Sequence, residues 1–226
     1  KWCLCEKCRT PIRLADGLSI GPENALFRGT QYFSNASAMI HSINVWINRA
    51  VRCQTLGYFW MNTPPPFQLS RNWEVCYCPY FRKNYFEPIY APVNDLWARD
   101  LYRWGQLPGV RMSIYDYFLG VNLRPWEITA KYDFPFERDC GITEVHNEGG
   151  NMFATMALWS VLRQFRRADA DPRESDRFFI ARAFREAAPA MEKFYSCINE
   201  FIFENIAQRT YMEMEDYAII GVVALR

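Results

Sequence analysis

Hydrophobic and polar positions show no helical or strand period from Lys1 to about Gln31, where ADG and GPEN supply turn chemistry. This stretch is expected to be a long loop leaving a strand placed upstream of Lys1. A helix is predicted to open at Ser34 or Asn35, since either side chain can cap a first turn. Met39, Ile40, Ile43, Ile47, Ala50 and Val51 then recur at three- and four-residue spacing and mark its expected core face.

The aromatic run TLGYFWM reads as a buried strand, ended by Pro64, Pro65 and Pro66. NWEVCYCPY is a second strand stopped by Pro79, and Asn94 or Asp95 opens a helix through LWARDLYRWGQL. VRMSIYDYF is a third strand, RPWEITAKYDFPFERDC a helix with an awkward Pro135, and GITEVHNEGG a short strand running into glycines. NMFATMALWSVLRQF is apolar nearly all round, as suits a helix packed on a sheet. A polar loop with a fresh cap precedes a long helix from ESDRFF, with Pro189 as the expected break.

Strands alternating with helices predict an α/β fold with a parallel sheet. Four such units are about half of a (β/α)8 TIM-like barrel, which typically takes about 250 residues. The expected organisation is therefore residues 1–170 as the C-terminal part of such a barrel and 171–226 as a helical segment packed on it. An open sheet is the alternative. A half barrel would leave open edges, so its missing half or a second copy in a homo-oligomer is an expected partner.

Composition narrows the function classes. The 226 residues are 50% hydrophobic and 17% aromatic, with a net charge of +1. Near-neutrality argues against a nucleic-acid partner, and no apolar run approaches the roughly 20 residues of a membrane span. YAIIGVVALR is too short for one and reads as a buried element. With no initial methionine and no signal peptide, the chain is expected to begin inside a processed protein or a fragment.

In parallel α/β folds the chemistry sits at the C-terminal strand ends. That rule selects Tyr58, Trp60 and Asn62; Cys78 and Tyr80; Tyr115, Asp116 and Tyr117; and His146, Asn147 and Glu148. Aromatic platforms with amides and carboxylates match the apolar faces and hydroxyl edges of sugars, and glycosidases add paired carboxyl groups. Tyr and Trp at strand ends are more often core or rim packing than ligand platforms. Glu148, followed by glycines that allow close approach, is the expected catalytic residue; Glu144 is a weaker candidate. Tyr58, Trp60, Asn62, Tyr115, Asp116, Tyr117, His146 and Asn147 are the expected substrate-binding residues. His146 is one of only two histidines and has no nearby partner in sequence for a metal pair. No dinucleotide, Walker, serine-elbow or zincin motif is present.

The chain opens KWCLCEKCRT, and Cys3, Cys5 and Cys8 form C-x-C-x2-C. Structural zinc needs four ligands, so a fourth would come from Cys53, Cys76 or Cys78. Packed thiols or a disulfide are the competing reading. Cys140 and Cys197 complete the set of eight, a number that does not fix the compartment. No metal and no cofactor are expected.

WCLCEKC, the FSNASAMIHSINVWINRA helix, GYFWMNTPPP, VRMSIYDYF, YDFPFERDCGITEVHNEGG and the two closing helices stand in an order that resembles a bacterial group, the domain of unknown function DUF4838. That group is linked to glycoside hydrolase family 163, the endo-β-N-acetylglucosaminidases. The resemblance runs from Trp2 to about Phe201. It implies a TIM-like barrel acting on N-acetylglucosamine-containing glycans by substrate-assisted hydrolysis, and a periplasmic or secreted location. It further implies an acid pair on a strand before the cysteine motif, hence upstream of Lys1. Tyr58, Trp60, Tyr115, Tyr117 and Glu148 carry over as parts of a sugar-binding rim. A non-catalytic carbohydrate-binding or structural barrel and a cysteine-cluster metal protein remain the alternatives.

Overall fold

The computed structural model describes residues 3–80, 87–116, 128–147, 154–167 and 169–201. In chain order the elements are α1 (Glu6–Arg9), β1 (Ile12–Arg13), β2 (Ser19–Ile20), α2 (Phe27–Ile47), β3 (Cys53–Gly57) and β4 (Trp73–Tyr77). There follow α3 (Asp95–Gly105), β5 (Arg111–Asp116), α4 (Phe134–Asp139), β6 (Ile142–Asn147), α5 (Ala154–Arg166), α6 (Pro172–Phe184) and α7 (Ala188–Phe201). β3 to β6 form a four-stranded parallel sheet in sequence order, flanked by helices, so the α/β expectation holds. The chain divides into two compact units: Lys1–Pro79, Leu96–Tyr115 and Cys140–Val145 in the first, and Tyr80–Asp95, Asp116–Asp139 and His146–Arg226 in the second.

The first unit is built on strand alternation. Trp73, Val75 and Tyr77 of β4 are fully buried on one face and pair with Cys53, Thr55 and Gly57 of β3. Val75 and Tyr77 pair in turn with Met112 and Ile114 of β5. Helices α2 and α3 cover this face. The Phe33 ring meets Trp73 at 5.4 Å and Trp104 at 5.3 Å, both edge-on. Tyr77 donates its hydroxyl to the Trp97 carbonyl at 3.0 Å. The other face carries Cys76 and Ser113, both buried, and Leu56, which is half exposed because β3 is an edge strand.

Helix α2 corrects the sequence reading twice. It opens at Phe27 rather than at Ser34 or Asn35, with no side-chain cap at Leu26. Its buried positions are Phe27, Gly29, Thr30, Phe33 and Ile40, whereas Met39 is 57% and Trp46 83% exposed. Tertiary packing of two phenylalanines decides the start, overriding weak helix formers in FRGTQYF. The expected N-terminal loop likewise holds the single turn α1 and the β1–β2 hairpin. The strand expected through TLGYFWM stops at Gly57, and Phe59–Met61 form a 3-10 turn.

In the second unit, the segment predicted as one helix with an awkward proline resolves into a π turn, Thr129–Asp133, leading into α4, where Pro135 occupies the first helical turn. The Asp133 carboxylate accepts from the Ile89 backbone N–H at 2.7 Å, and Phe134 packs edge-on against Phe165 at 5.6 Å. Helix α5 packs against α6, with Trp159 stacked on Phe178 at 6.1 Å. Asp171 caps α6 by accepting from the Arg173 backbone N–H, with Pro172 at the first helical position. The break between α6 and α7 falls at Arg185–Ala187, and Pro189 instead sits in the first turn of α7, where its missing N–H costs nothing. YAIIGVVALR lies outside the described residues. Among the described residues no helix is long and apolar enough to cross a membrane.

The burial pattern of α2 is directly testable. Phe33→Ala is expected to cost about 3–5 kcal/mol in urea denaturation. Met39→Ala should stay within roughly 0.5 kcal/mol. Equal losses would contradict this placement of the helix.

Candidate functional site

The C-terminal end of β3 leads straight into Tyr58, Phe59, Trp60 and Met61. Tyr58 is extended and half-buried, and its ring lies 4.1 Å from that of Phe59. Phe59 adopts φ +52°, a left-handed conformation uncommon for a bulky residue. The consequence is a turn that leaves Phe59 54% and Trp60 53% exposed, their rings 6.1 Å apart. Sequence reasoning selected Tyr58 and Trp60 but not Phe59. Its signal was the same aromatic run, read there as buried strand.

This turn is tied down from two helices. Gly29 of α2 lies so close to the Trp60 carbonyl oxygen that a Cβ there would collide with it. From α3, the Trp104 indole N–H donates to the Asn62 carbonyl at 2.6 Å, and Thr63 donates its hydroxyl to the Asp100 carboxylate at 2.6 Å. Asn62 thus acts through its main chain, and its side-chain oxygen is buried, which does not fit an open sugar-binding group. Asp100 was missed by sequence reasoning although a signal existed. It occupies the apolar stripe Trp97, Leu101, Trp104, where a carboxylate stands out. Burial pushes its pKa up, partly offset by the Thr63 hydrogen bond and by Arg103 and Arg99.

The other sequence-derived residues are distributed differently from expectation. Tyr115 is half-buried and Asp116 fully buried, and alternation along β5 turns the two to opposite faces of the strand. Asp116 therefore does not offer an open carboxylate. Cys78 is buried, its thiol donating to the Cys76 carbonyl at 3.5 Å. Tyr80 and His146 are half-buried, and Glu144 is exposed on β6. The backbone of Asn147 ends β6. Tyr117 and Glu148 lie outside the described residues.

Elsewhere in the first unit, Cys3, Cys5 and Cys8 are thiols with their sulfurs within 4.8 Å of one another. Cys3 and Cys5 are exposed and Cys8 half-buried, so the trio is neither packed nor disulfide-bonded. Cys53, Cys76 and Cys78 do not join it; the group has three members among the described residues. Cys5 precedes the turn α1 and its side chain does not cap it. The neighbouring Cys8 backbone, first, and the adjoining Cys3 and Cys8 thiols lower the Cys5 pKa, while Cys8, beside the Cys5 and Cys3 thiols, is pushed up to about 11. The turn is closed by Arg9 N–H donating to the Cys5 carbonyl at 3.1 Å and tied to α2 by the Gln31 amide donating to the Cys8 carbonyl at 3.2 Å.

No protein-family model, curated protein or solved structure matches the chain.

Asp100 yields a pH prediction. Its folded-state pKa is raised above the unfolded value, so the folded chain holds the proton more tightly. Its stabilising contribution is complete below the unfolded pKa and is lost as pH rises through the folded one. As pH rises above about 4 the chain should therefore lose stability relative to Asp100→Asn, which keeps an acceptor for Thr63. Parallel pH profiles of the two in urea denaturation would contradict this.

Proposed function

We propose that the chain is the C-terminal half of a (β/α)8 glycan-processing barrel, acting on N-acetylglucosamine-containing or related glycans. The observation that carries the reading is the Phe59–Trp60 pair, more than half exposed at the C-terminal end of a parallel strand. Ligands of parallel α/β sheets bind outside the carboxyl ends of their strands. Two adjacent aromatic faces there suit the apolar faces of sugar rings. The sequence-order winding of β3 to β6 is compatible with one arc of such a barrel. The resemblance of the cysteine motif and the strand order to family 163 glycosidases supports the substrate class.

In this reading Trp60, Phe59 and Tyr58 stack on the glycan, while the buried side-chain oxygen of Asn62 serves the scaffold. The acid pair of substrate-assisted hydrolysis belongs to the strand preceding the cysteine motif.

Titration calorimetry with N-acetylglucosamine oligomers tests the assignment. The chain should bind them, and Trp60→Ala should weaken binding about tenfold, the equivalent of roughly 1.4 kcal/mol. Binding unaltered by this substitution, or no binding by the chain, would count against the site. Binding without release of oligosaccharide from an N-glycan, in a polypeptide carrying the preceding strand, would favour the non-catalytic alternative.

A further inference from the structure

Cysteine is among the residue types most often buried, and an exposed cysteine is explained by its reactivity more often than by packing. Here two of three neighbouring cysteines are exposed, and all three sulfurs converge within 4.8 Å. A tetrahedral ion with metal–sulfur bonds of about 2.3 Å spaces its sulfurs about 3.8 Å apart. Side-chain rotation of about 1 Å is enough to move from one arrangement to the other.

The turn that carries Cys5 and Cys8 is fixed before any ion arrives, through the Gln31 bond to the Cys8 carbonyl and the Arg9 bond to the Cys5 carbonyl. Lys7 and Arg9, both in α1, place positive charge beside a site whose three thiolates outweigh a divalent ion by one negative charge.

We infer that Cys3, Cys5 and Cys8 form a surface trithiolate site for a soft d10 cation of the zinc class. Thiolate ligands select such ions over magnesium or calcium. Binding exchanges the thiol protons for the cation and leaves a fourth coordination position to water or an exogenous donor, the arrangement of an open rather than a closed zinc site. The inference is independent of the proposed glycan chemistry. It replaces the expectation of no metal, which rested on the missing fourth cysteine.

The test uses the full chain, reduced and handled without oxygen, titrated with Co(II) as a spectroscopic probe. The expected result is one equivalent bound, with the intense visible bands of a tetrahedral site and a sulfur-to-cobalt charge-transfer band, both bleached by Zn(II). Cys3→Ser, Cys5→Ser and Cys8→Ser should each weaken binding by at least the roughly 10–100-fold that loss of an outer-shell partner costs. Cys53→Ser and Cys197→Ser should leave it unchanged. The unmodified chain alone decides the question even where a variant fails to fold. Weak octahedral bands without charge transfer would overturn the inference. So would a triple serine variant that binds like the parent, or alkylation showing two of the three thiols joined in a disulfide.

Discussion

The first two turns of α2 are the constraint on which the first unit depends. Four neighbouring residues there hold four different parts of the fold. Gly29 admits the Trp60 carbonyl, and Gln31 donates to the Cys8 carbonyl. The Tyr32 hydroxyl shares a 2.9 Å hydrogen bond with that of Thr55 on β3, and Phe33 fills the space between Trp73 and Trp104. A helix turn repeats every 3.6 residues, so consecutive residues point in different directions. That geometry lets one short segment reach the cysteine turn, the aromatic turn, the sheet and α3 at once.

Both candidate sites follow from this arrangement. The aromatic turn after β3 would be free to fold onto the sheet if nothing held it; instead α2 and α3 clamp its backbone and the rings of Phe59 and Trp60 are left facing outward. The clamp uses buried polar groups, Asp100 with Thr63 and the Trp104 indole with the Asn62 carbonyl. Such groups fix geometry more than they add net stability, because each must first be desolvated. The cysteine turn is held by fewer contacts and is exposed, which suits a site that an ion completes.

Much of the scaffold was legible in the sequence. Three strands of the sheet, β4 to β6, and α3 and α5 stand where the sequence pattern put them, while β3 ends before the aromatic run that was read as strand. The start of α2 was not legible. Ser34 and Asn35 look like caps, while FRGTQYF holds a glycine, a β-branched residue and aromatics, all weaker helix formers than alanine. The apolar stripe Met39, Ile43, Ile47 drew the core toward the wrong half of the helix, and the structure leaves that half largely in solvent. Of the candidate site residues, Trp60 lies in an exposed turn after β3 rather than in the buried strand read from the sequence, and Asp116 and the Asn62 side-chain oxygen are buried; a strand-end rule gives position along the strand but not the face of a side chain or which atom is used.

Gly29→Ala offers a test in which two effects have opposite signs. In an unencumbered helix this change stabilises by up to about 1 kcal/mol, because glycine is the poorer helix former. Here a Cβ would collide with the Trp60 carbonyl, which is backbone and has little room to move. Urea denaturation of the variant should therefore show a loss of stability of about 1 kcal/mol or more, with increased solvent exchange of the Trp104 indole proton. A gain in stability with that proton unchanged would contradict the role assigned to the first turns of α2.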